Sequence, residues 1–137
     1  MRLVLDTNVA VSAVLGSSAP TRLIELASEG SFDLFTSEPL LTEFTEVLAR
    51  EPIIRRLERR GRSAPEAVAH HEGLAERVVP ASIARTATDP DDDAVLACAL
   101  AAGADLIVSG DQRLRNLKFF HRMPILSSAD ALAVIAR

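Results

Sequence analysis

Short apolar runs alternate along the chain with longer stretches in which apolar residues recur every three or four positions. Short runs rich in valine, isoleucine and leucine are typical of strands buried on both faces of a parallel sheet. Strands are therefore predicted at residues 2–6, 32–36, 78–79, 106–109 and 125–126. Helical spacing predicts helices at residues 7–15, 21–28, 37–48, 53–60, 63–76, 90–102 and 128–136, with a short turn or helix at 111–116.

This order of elements indicates one α/β domain. Strands that alternate with helices build a mainly parallel sheet, and right-handed crossovers place helices on both of its faces. We therefore expect a three-layer α/β/α sandwich over residues 1–137, a length that a single domain commonly has. Pro52 marks a break in the chain, and residues 51–76 are expected to form a helical arm or lid.

The charges are strongly segregated, although the net charge is only −4. Residues 50–62 contain six arginines and two glutamates, and residues 112–122 contain four lysines and arginines and no acid, so the rest of the chain is strongly acidic. This distribution suits a protein that holds cations in an acidic pocket and a polyanion on basic surfaces. For residues 50–62 alone, a solvated helix face without a partner explains the arginines equally well.

Other features concern the compartment in which the protein works. The single Cys98 lies between alanines, as a small buried residue does in a reducing compartment. Arg2 and the apolar residues 9–15 resemble a secretion signal, but Asp6 and Asn8 interrupt the apolar segment. Apolar stretches fall short of the roughly 20 residues that span a bilayer. We therefore expect a cytoplasmic protein without a membrane partner.

Two aspartates follow predicted strands near opposite ends of the chain. Asp6 ends the first apolar run, and Asp111 follows the run at residues 106–109. If these strands are neighbours, their carboxyl ends open into the same crevice and the two carboxylates meet there. Since like charges repel, a bound cation is the natural hypothesis. The alternative is that Asp6 only caps the next helix, a task that Thr7 and Asn8 could also perform.

Further acids lie at the starts of two helices. The segment at residues 89–93 is Asp-Pro-Asp-Asp-Asp, of which a helix start explains one or two acids. Asp92 shares a helix face with the apolar residues that follow it, whereas Asp91 falls outside that face and Asp93 lies at its margin. Glu43 lies on or beside the apolar face of its helix, and Glu46 is its less embedded competitor.

Four segments together resemble the acidic motifs of PIN-domain nucleases, in particular the VapC-type toxins of bacterial toxin–antitoxin modules. They are LDTNV at residues 5–9, LLTEF at 40–44, DPDDD at 89–93 and ADLIVSGD at 104–111. Carried over by position, the resemblance implies that four acids are both catalytic residues and metal ligands: Asp6, Glu43, Asp92 and Asp111. Asp93 stands where asparagine is frequent and stays open as the third ligand, and Ser109 replaces a frequent threonine.

The resemblance implies a metal-dependent endoribonuclease that uses Mg²⁺ or Mn²⁺, with an RNA substrate, an antitoxin protein as partner and a homodimer as its assembly. The basic segments are expected to position the RNA backbone, with Asn8 and Ser109 supporting the site. The candidate RNA-binding residues are Arg50, Arg55, Arg56, Arg59, Arg113 and Arg115. His70 and His71 are expected to face solvent. Without tyrosine or tryptophan, base stacking is limited to phenylalanine, histidine or arginine.

Competing classes fit the acids less well. A haloacid-type phosphatase needs a second aspartate two positions after the first, and Asn8 stands there. A phosphorylation-receiver domain needs an acidic pair at the end of the first strand, and Asp6 stands alone there. The alternative that stays open is a noncatalytic binding module, in which the acids hold a structural cation or a basic segment of a partner.

Overall fold

The structure is a computed structural model that describes residues 1–136. The strands within these residues are β1 (Arg2–Leu5), β2 (Asp33–Thr36), β3 (Glu76–Arg77), β4 (Leu106–Val108), β5 (Phe119–Phe120) and β6 (Met123–Leu126). The helices are α1 (Thr7–Val14), α2 (Ser18–Ser28), α3 (Glu38–Leu48), α4 (Glu51–Arg59), α5 (Ala64–Leu74), α6 (Pro90–Ala102), α7 (Gln112–Arg115) and α8 (Ser128–Ile135).

The strands form one sheet in the order β3-β2-β1-β4-β6-β5. All neighbouring strands are parallel except for the hairpin of β5 and β6. Val4 lies between Phe35 of β2 and Ile107 of β4, so β1 is a central strand with partners on both sides. The chain first adds β2 and β3 on one side of β1 and then crosses to add β4 on the other side. This reversal of the strand order opens a crevice at the carboxyl end of β1.

Side chains of the central strands alternate between two cores. Val4 and Ile107 pack on the side of α6, whereas Leu3 and Leu106 pack on the side of α2 and α8. This alternation follows from the period of two in a strand, and it explains why the strands are apolar on both faces. Helices cover both sides of a mainly parallel sheet, so the prediction of a three-layer α/β/α sandwich is confirmed.

Residues 51–76 contribute α4 and α5, which pack against α1 and α3. Leu57 and Ala67 are buried in a third apolar cluster together with Phe44. The arginine-rich turn after α4 lies against the end of α1, where Arg62 Nη1 donates a hydrogen bond of 3.1 Å to the carbonyl of Val14. Some arginines of this segment therefore have a structural task.

The third strand differs from the prediction. It occupies Glu76–Arg77 instead of residues 78–79, because α5 ends at Leu74 and Ala75 already has extended backbone angles. Val78 still donates its backbone N–H to the carbonyl of Thr36 at 2.8 Å, but the side chain of Val79 is 86% exposed. The valines attracted the strand prediction, while the ladder starts two residues earlier with charged residues at the sheet edge.

Smaller differences occur at other boundaries. The helix α2 begins at Ser18 because Pro20 fits in a first turn, and the hairpin strand β5 was not predicted. Ser127 rather than Ser128 caps α8, with its hydroxyl accepting the N–H of Asp130 at 3.2 Å.

The burial of Cys98 and the length and apolar character of the helices bear on two of the expectations. Cys98 is fully buried, and burial raises the pKa of its thiol to about 11, so the interpretation as a core residue is confirmed. None of the helices within residues 1–136 has both the length and the apolar character that crossing a bilayer requires.

Candidate active site

The first and last acids of the proposed set meet at the carboxyl ends of two neighbouring strands. Asp6 follows β1 and Asp111 follows β4, with Ser109 and Gly110 between that strand and Asp111. The backbone N–H of Asp6 donates to the carbonyl of Val108 at 2.9 Å, so the ladder between the strands continues up to this aspartate. The two strands are neighbours, which is the condition under which the sequence predicts that Asp6 and Asp111 share one crevice.

Asp6 is buried, and both oxygens of its carboxylate accept hydrogen bonds. Only 5% of it is exposed. Its Oδ1 accepts the N–H of Val9 at 2.8 Å, and its Oδ2 accepts the hydroxyl of Ser109 at 2.5 Å and the N–H of Gly110 at 3.2 Å. Burial raises the pKa of Asp6 above its ordinary value of 3.8, an effect that these hydrogen bonds oppose. Asp6 therefore does cap α1, and it also joins β1 to the turn after β4.

Ser109 links the two aspartates. It is fully buried, and while its hydroxyl donates to Asp6 it also accepts the N–H of Asp111 at 3.0 Å. Asp111 caps α7 through the N–H of Arg113 at 2.8 Å and pairs with the guanidinium of Arg113 at 3.5 Å. The hydrogen bond from the Arg113 backbone holds the pKa of Asp111 below its ordinary value.

The acids at the start of α6 divide into different tasks. Asp89 caps the helix by accepting the N–H of Asp91 at 2.9 Å. Within residues 1–136 the carboxylate of Asp92 accepts no hydrogen bond. Burial, followed by repulsion from Asp111, raises the pKa of Asp92 to about 6. Asp92 therefore faces the carboxylates at the ends of β1 and β4.

Asp93 points elsewhere and fastens the loop that precedes α6. Its carboxylate accepts the N–H of Ala87 at 2.6 Å and that of Thr86 at 3.2 Å, and it pairs with Arg85 at 3.1 Å. These partners explain why an acid is useful at this position without a metal. Of the two aspartates that the sequence left open as the third acid, Asp92 is the one that the structure places among the other acids.

Glu43 closes the other side of the site. It is half-buried on α3, and burial followed by the charge of Asp91 raises the pKa of Glu43. The hydroxyl of Thr7 is close enough to lower the pKa of Glu43, although Thr7 Oγ1 has no partner with hydrogen-bond geometry in the described part of the chain. Glu46 is exposed, so Glu43 is the better embedded of the two glutamates. The sequence indicated Thr7 only as a possible cap of α1.

An open groove of about 800 Å³ leads away from Glu43. It lies between α3 and the segment after β3, and Glu43, Asp91, Arg50 and Arg77 line it. The groove is thus shared by Glu43 and one of the predicted RNA-binding arginines.

The donor set fits a hard divalent cation, because it consists of carboxylates, and their mutual repulsion falls when a cation lies between them. As the side chains lie, no three acidic, histidine or cysteine side chains in residues 1–136 are close enough to surround one ion. Asp111 is turned toward Arg113, whereas Asp92 has no hydrogen bond to break before it turns toward an ion. Asp6, Glu43, Asp92 and Asp111 could therefore hold one ion together only after some of these side chains rotate.

The remaining predicted residues lie around the acids. Asn8 is exposed in the first turn of α1. Arg55 is exposed and pairs with Glu51 at 3.3 Å, and Arg56 and Arg59 are exposed on the same helix. Arg115 is half-buried, and its Nε has no hydrogen-bond partner within the described residues.

The prediction for the two histidines is half wrong. His70 is exposed as expected, but His71 is half-buried, with its ring centroid 4.7 Å from that of Phe44. Burial lowers the pKa of His71 from 6.5 to about 4. The packing of α5 against α3 accounts for the difference, because it covers the side of α5 that carries His71.

Comparisons with known proteins agree with this architecture. Curated proteins give no significant match to the chain. The family model described as PIN domain matches residues 2–113, which include β1, β4 and all four acids of the proposed set. A match over most of the chain, with the acids at the carboxyl ends of the sheet, shows that the protein belongs to the PIN-domain family.

Proposed function

We propose that the protein is a metal-dependent endoribonuclease that acts as the toxin of a toxin–antitoxin module in the cytoplasm. PIN domains are generally nucleases, which hydrolyse phosphodiester bonds and typically use Mg²⁺. RNA as the substrate, an antitoxin partner and a homodimer are the finer parts of this proposal, and they rest on the resemblance of the four acidic motifs to VapC-type toxins.

The observation that carries the proposal is the mutual repulsion of carboxylates at one sheet edge. Burial is the larger cause of the raised pKa of Asp92 and of Glu43, and the neighbouring charges of Asp111 and Asp91, respectively, raise these pKa values further. A protein that needed acids only as helix caps would not require these additional acids, which cap no helix. A divalent cation removes the repulsion and converts a destabilising arrangement into a binding site.

Each residue of the site has a task in this proposal. Asp6, Glu43, Asp92 and Asp111 would hold Mg²⁺ or Mn²⁺, which when bound activates water as a nucleophile and neutralises charge on the phosphate. Ser109 orients Asp6 and Asp111 through its two hydrogen bonds. Arg50 and Arg113 lie beside the acids and would bind phosphates on either side of the cleaved bond.

The test is metal-dependent cleavage of a panel of structured and single-stranded RNAs by the wild type and by two variants. Asp6→Asn keeps the size of the side chain and one acceptor for the N–H of Val9, but it removes the negative charge and places an NH2 donor opposite the N–H of Gly110. Glu43→Gln removes the negative charge of a carboxylate to which the nearby hydroxyl of Thr7 makes no hydrogen bond with full geometry. We expect cleavage by both variants to fall at least 100-fold, and we expect EDTA to abolish wild-type cleavage.

The matched control is Asp33→Asn, which removes the same charge from an exposed position. Asp33 is the first residue of β2 and therefore lies at the end of the sheet opposite to the acids. Circular dichroism would verify that each variant is folded. Cleavage that survives in folded Asp6→Asn and Glu43→Gln would contradict the assigned site. A wild type that binds Mn²⁺ but cleaves none of the RNAs would favour the noncatalytic binding module.

A further inference from the structure

One phenylalanine differs from all the others in its exposure. The chain has five phenylalanines and no tyrosine or tryptophan. Phe32, Phe35, Phe44 and Phe120 are buried, each with at most 9% of its surface exposed. Phe119 is 62% exposed. A large aromatic side chain that is left in water points to a surface with a binding task more often than a single exposed aliphatic residue does.

Phe119 lies on the edge strand of the sheet. Its neighbour Phe120 turns into the core beside Met123 and Ile125, so the alternation of a strand turns Phe119 outward. Leu117, two residues earlier, is 40% exposed as well. The outward side of this edge therefore presents an apolar surface, although each of these residues could have been polar without disturbing the core.

Cationic residues are close to this apolar surface along the chain. Lys118 and Arg122 flank Phe119, and Arg113 and Arg115 precede it on α7. Within residues 1–136 the only ion pair made by these four residues is that of Arg113 with Asp111. We call this surface the basic aromatic patch, defined as Arg113, Arg115, Leu117, Lys118, Phe119 and Arg122. Positive charge around an exposed ring suits a polyanion that carries flat apolar groups.

The patch is continuous with the acidic site. Asp92, Arg113 and Leu117 line one small cleft of about 80 Å³. The helix α7, which carries the first arginines of the patch, is capped by Asp111 itself. The family model matches residues 2–113, so Phe119, Lys118 and Arg122 lie beyond the matched part of the chain, whereas Arg113 lies at its end.

We propose that the basic aromatic patch binds an unpaired segment of the RNA substrate, with one base stacked on the ring of Phe119. This inference rests on the proposed ribonuclease function and specifies the substrate class as single-stranded RNA. In a duplex, each base is covered on both faces by its neighbours, so a protein ring can stack only on a base that has left the helix. The cationic side chains would hold the phosphates on either side of that base.

The absence of tryptophan from the sequence allows a direct test of stacking. The variant Phe119→Trp carries a single tryptophan at the proposed contact. Titration with a single-stranded RNA of about 12 nucleotides in EDTA, where cleavage cannot proceed, should quench its fluorescence in a saturable way. The same RNA annealed to its complement should quench it at least tenfold less at equal concentration. Ala133→Trp, at an exposed position on α8, is the matched control and should show no quenching.

Affinity measurements with three further variants separate an aromatic contact from a merely apolar one. Phe119→Ala and Phe119→Leu should each bind the single strand about tenfold more weakly than the wild type, whereas Phe119→Tyr should bind within about twofold. Sedimentation of each variant without RNA would report its oligomeric state. Equal binding by Phe119→Ala and the wild type would overturn the inference, and so would a changed oligomeric state with unchanged RNA binding, which would identify the patch as an interface between copies.

These outcomes are distinguishable from failure of the proposed function. If the wild type cleaves RNA and Asp6→Asn does not, while Phe119→Ala binds and cleaves like the wild type, only the inference about the patch is wrong. If the wild type neither binds nor cleaves any RNA of the panel, both proposals are wrong.

Discussion

The environment of Asp92 in the folded chain favours the protonated form of its carboxyl group. Its pKa is raised from 3.8 to about 6 by burial and by the charges of Asp111, Asp89 and Asp6. An acid whose pKa is higher in the folded chain than in the unfolded chain retains its proton to a higher pH in the folded chain. The unfolding free energy therefore decreases as the pH rises from 3.8 to about 6, and it stays lower above that range.

The variant Asp92→Asn should consequently be more stable than the wild type at pH 8 in EDTA. The expected gain is on the order of 1 kcal/mol, reduced from the full effect of the shift because Asp92 is only partly buried. Saturating Mg²⁺ should reverse the order, since only the wild type retains the complete set of acids. Thermal unfolding with and without Mg²⁺ measures both effects, with Asp33→Asn as the control. A variant less stable than the wild type in EDTA would contradict the electrostatic argument.

At the scale of elements, the sequence determines which strands carry the acids better than it determines how the acids are used. Residues 3–5 and residues 106–108 are apolar on both faces, so two central strands that each lead to an aspartate were predictable. Their pairing, which brings Asp6 near Asp111, was only a condition of the prediction, because apolar faces do not specify which strands are neighbours. The split between Asp92 and Asp93 was not predictable, because it depends on where the loop at residues 85–88 lies. Helical spacing places both aspartates near the same face of α6 and contains no information about the position of that loop.

The packing of α5 against α3 gives a second prediction. The pKa of His71 is lowered to about 4, so between pH 6.5 and 4 the unfolded chain binds a proton that the folded chain does not. The unfolding free energy should therefore fall as the pH drops through this range, by at most about 3 kcal/mol. Urea unfolding at several pH values should show a flatter profile for His71→Gln than for His70→Gln. Parallel profiles for these two variants would exclude His71 as the source.

The whole molecule combines a net charge of −4 with two strongly basic segments. The arginines near residues 50–62 are not equivalent in the structure. Arg62 binds the end of α1, and a Cβ added to Gly16, whose φ is +88°, would lie only 2.5 Å from Arg60 Nη1, so both arginines pack closely there. Arg56 and Arg59 are exposed on α4 and remain available to RNA.

RNA affinity should accordingly depend on salt, and the dependence should reveal which arginines contact phosphates. Each phosphate contact to a single strand contributes about 0.7 to the slope of log affinity against log salt concentration. The variant Arg56→Gln/Arg59→Gln should reduce this slope by about 1.4. Arg22→Gln, which removes an exposed arginine paired with Glu25, should leave the slope unchanged. An unchanged slope in the double variant would favour a solvated helix face without an RNA contact.

The hydrogen bonds of Asp6 couple the chemistry of the protein to its abundance. One carboxylate both starts α1 and fastens it to the turn after β4, so substitutions at Asp6 weaken folding together with any activity. In a cell, a destabilised chain is degraded faster and its level falls. Glu43 makes no comparable bonds in the described residues, so its loss leaves intact protein, which under the proposed function would continue to occupy RNA. A dominant-negative allele would therefore be sought at Glu43, and a simple null allele at Asp6.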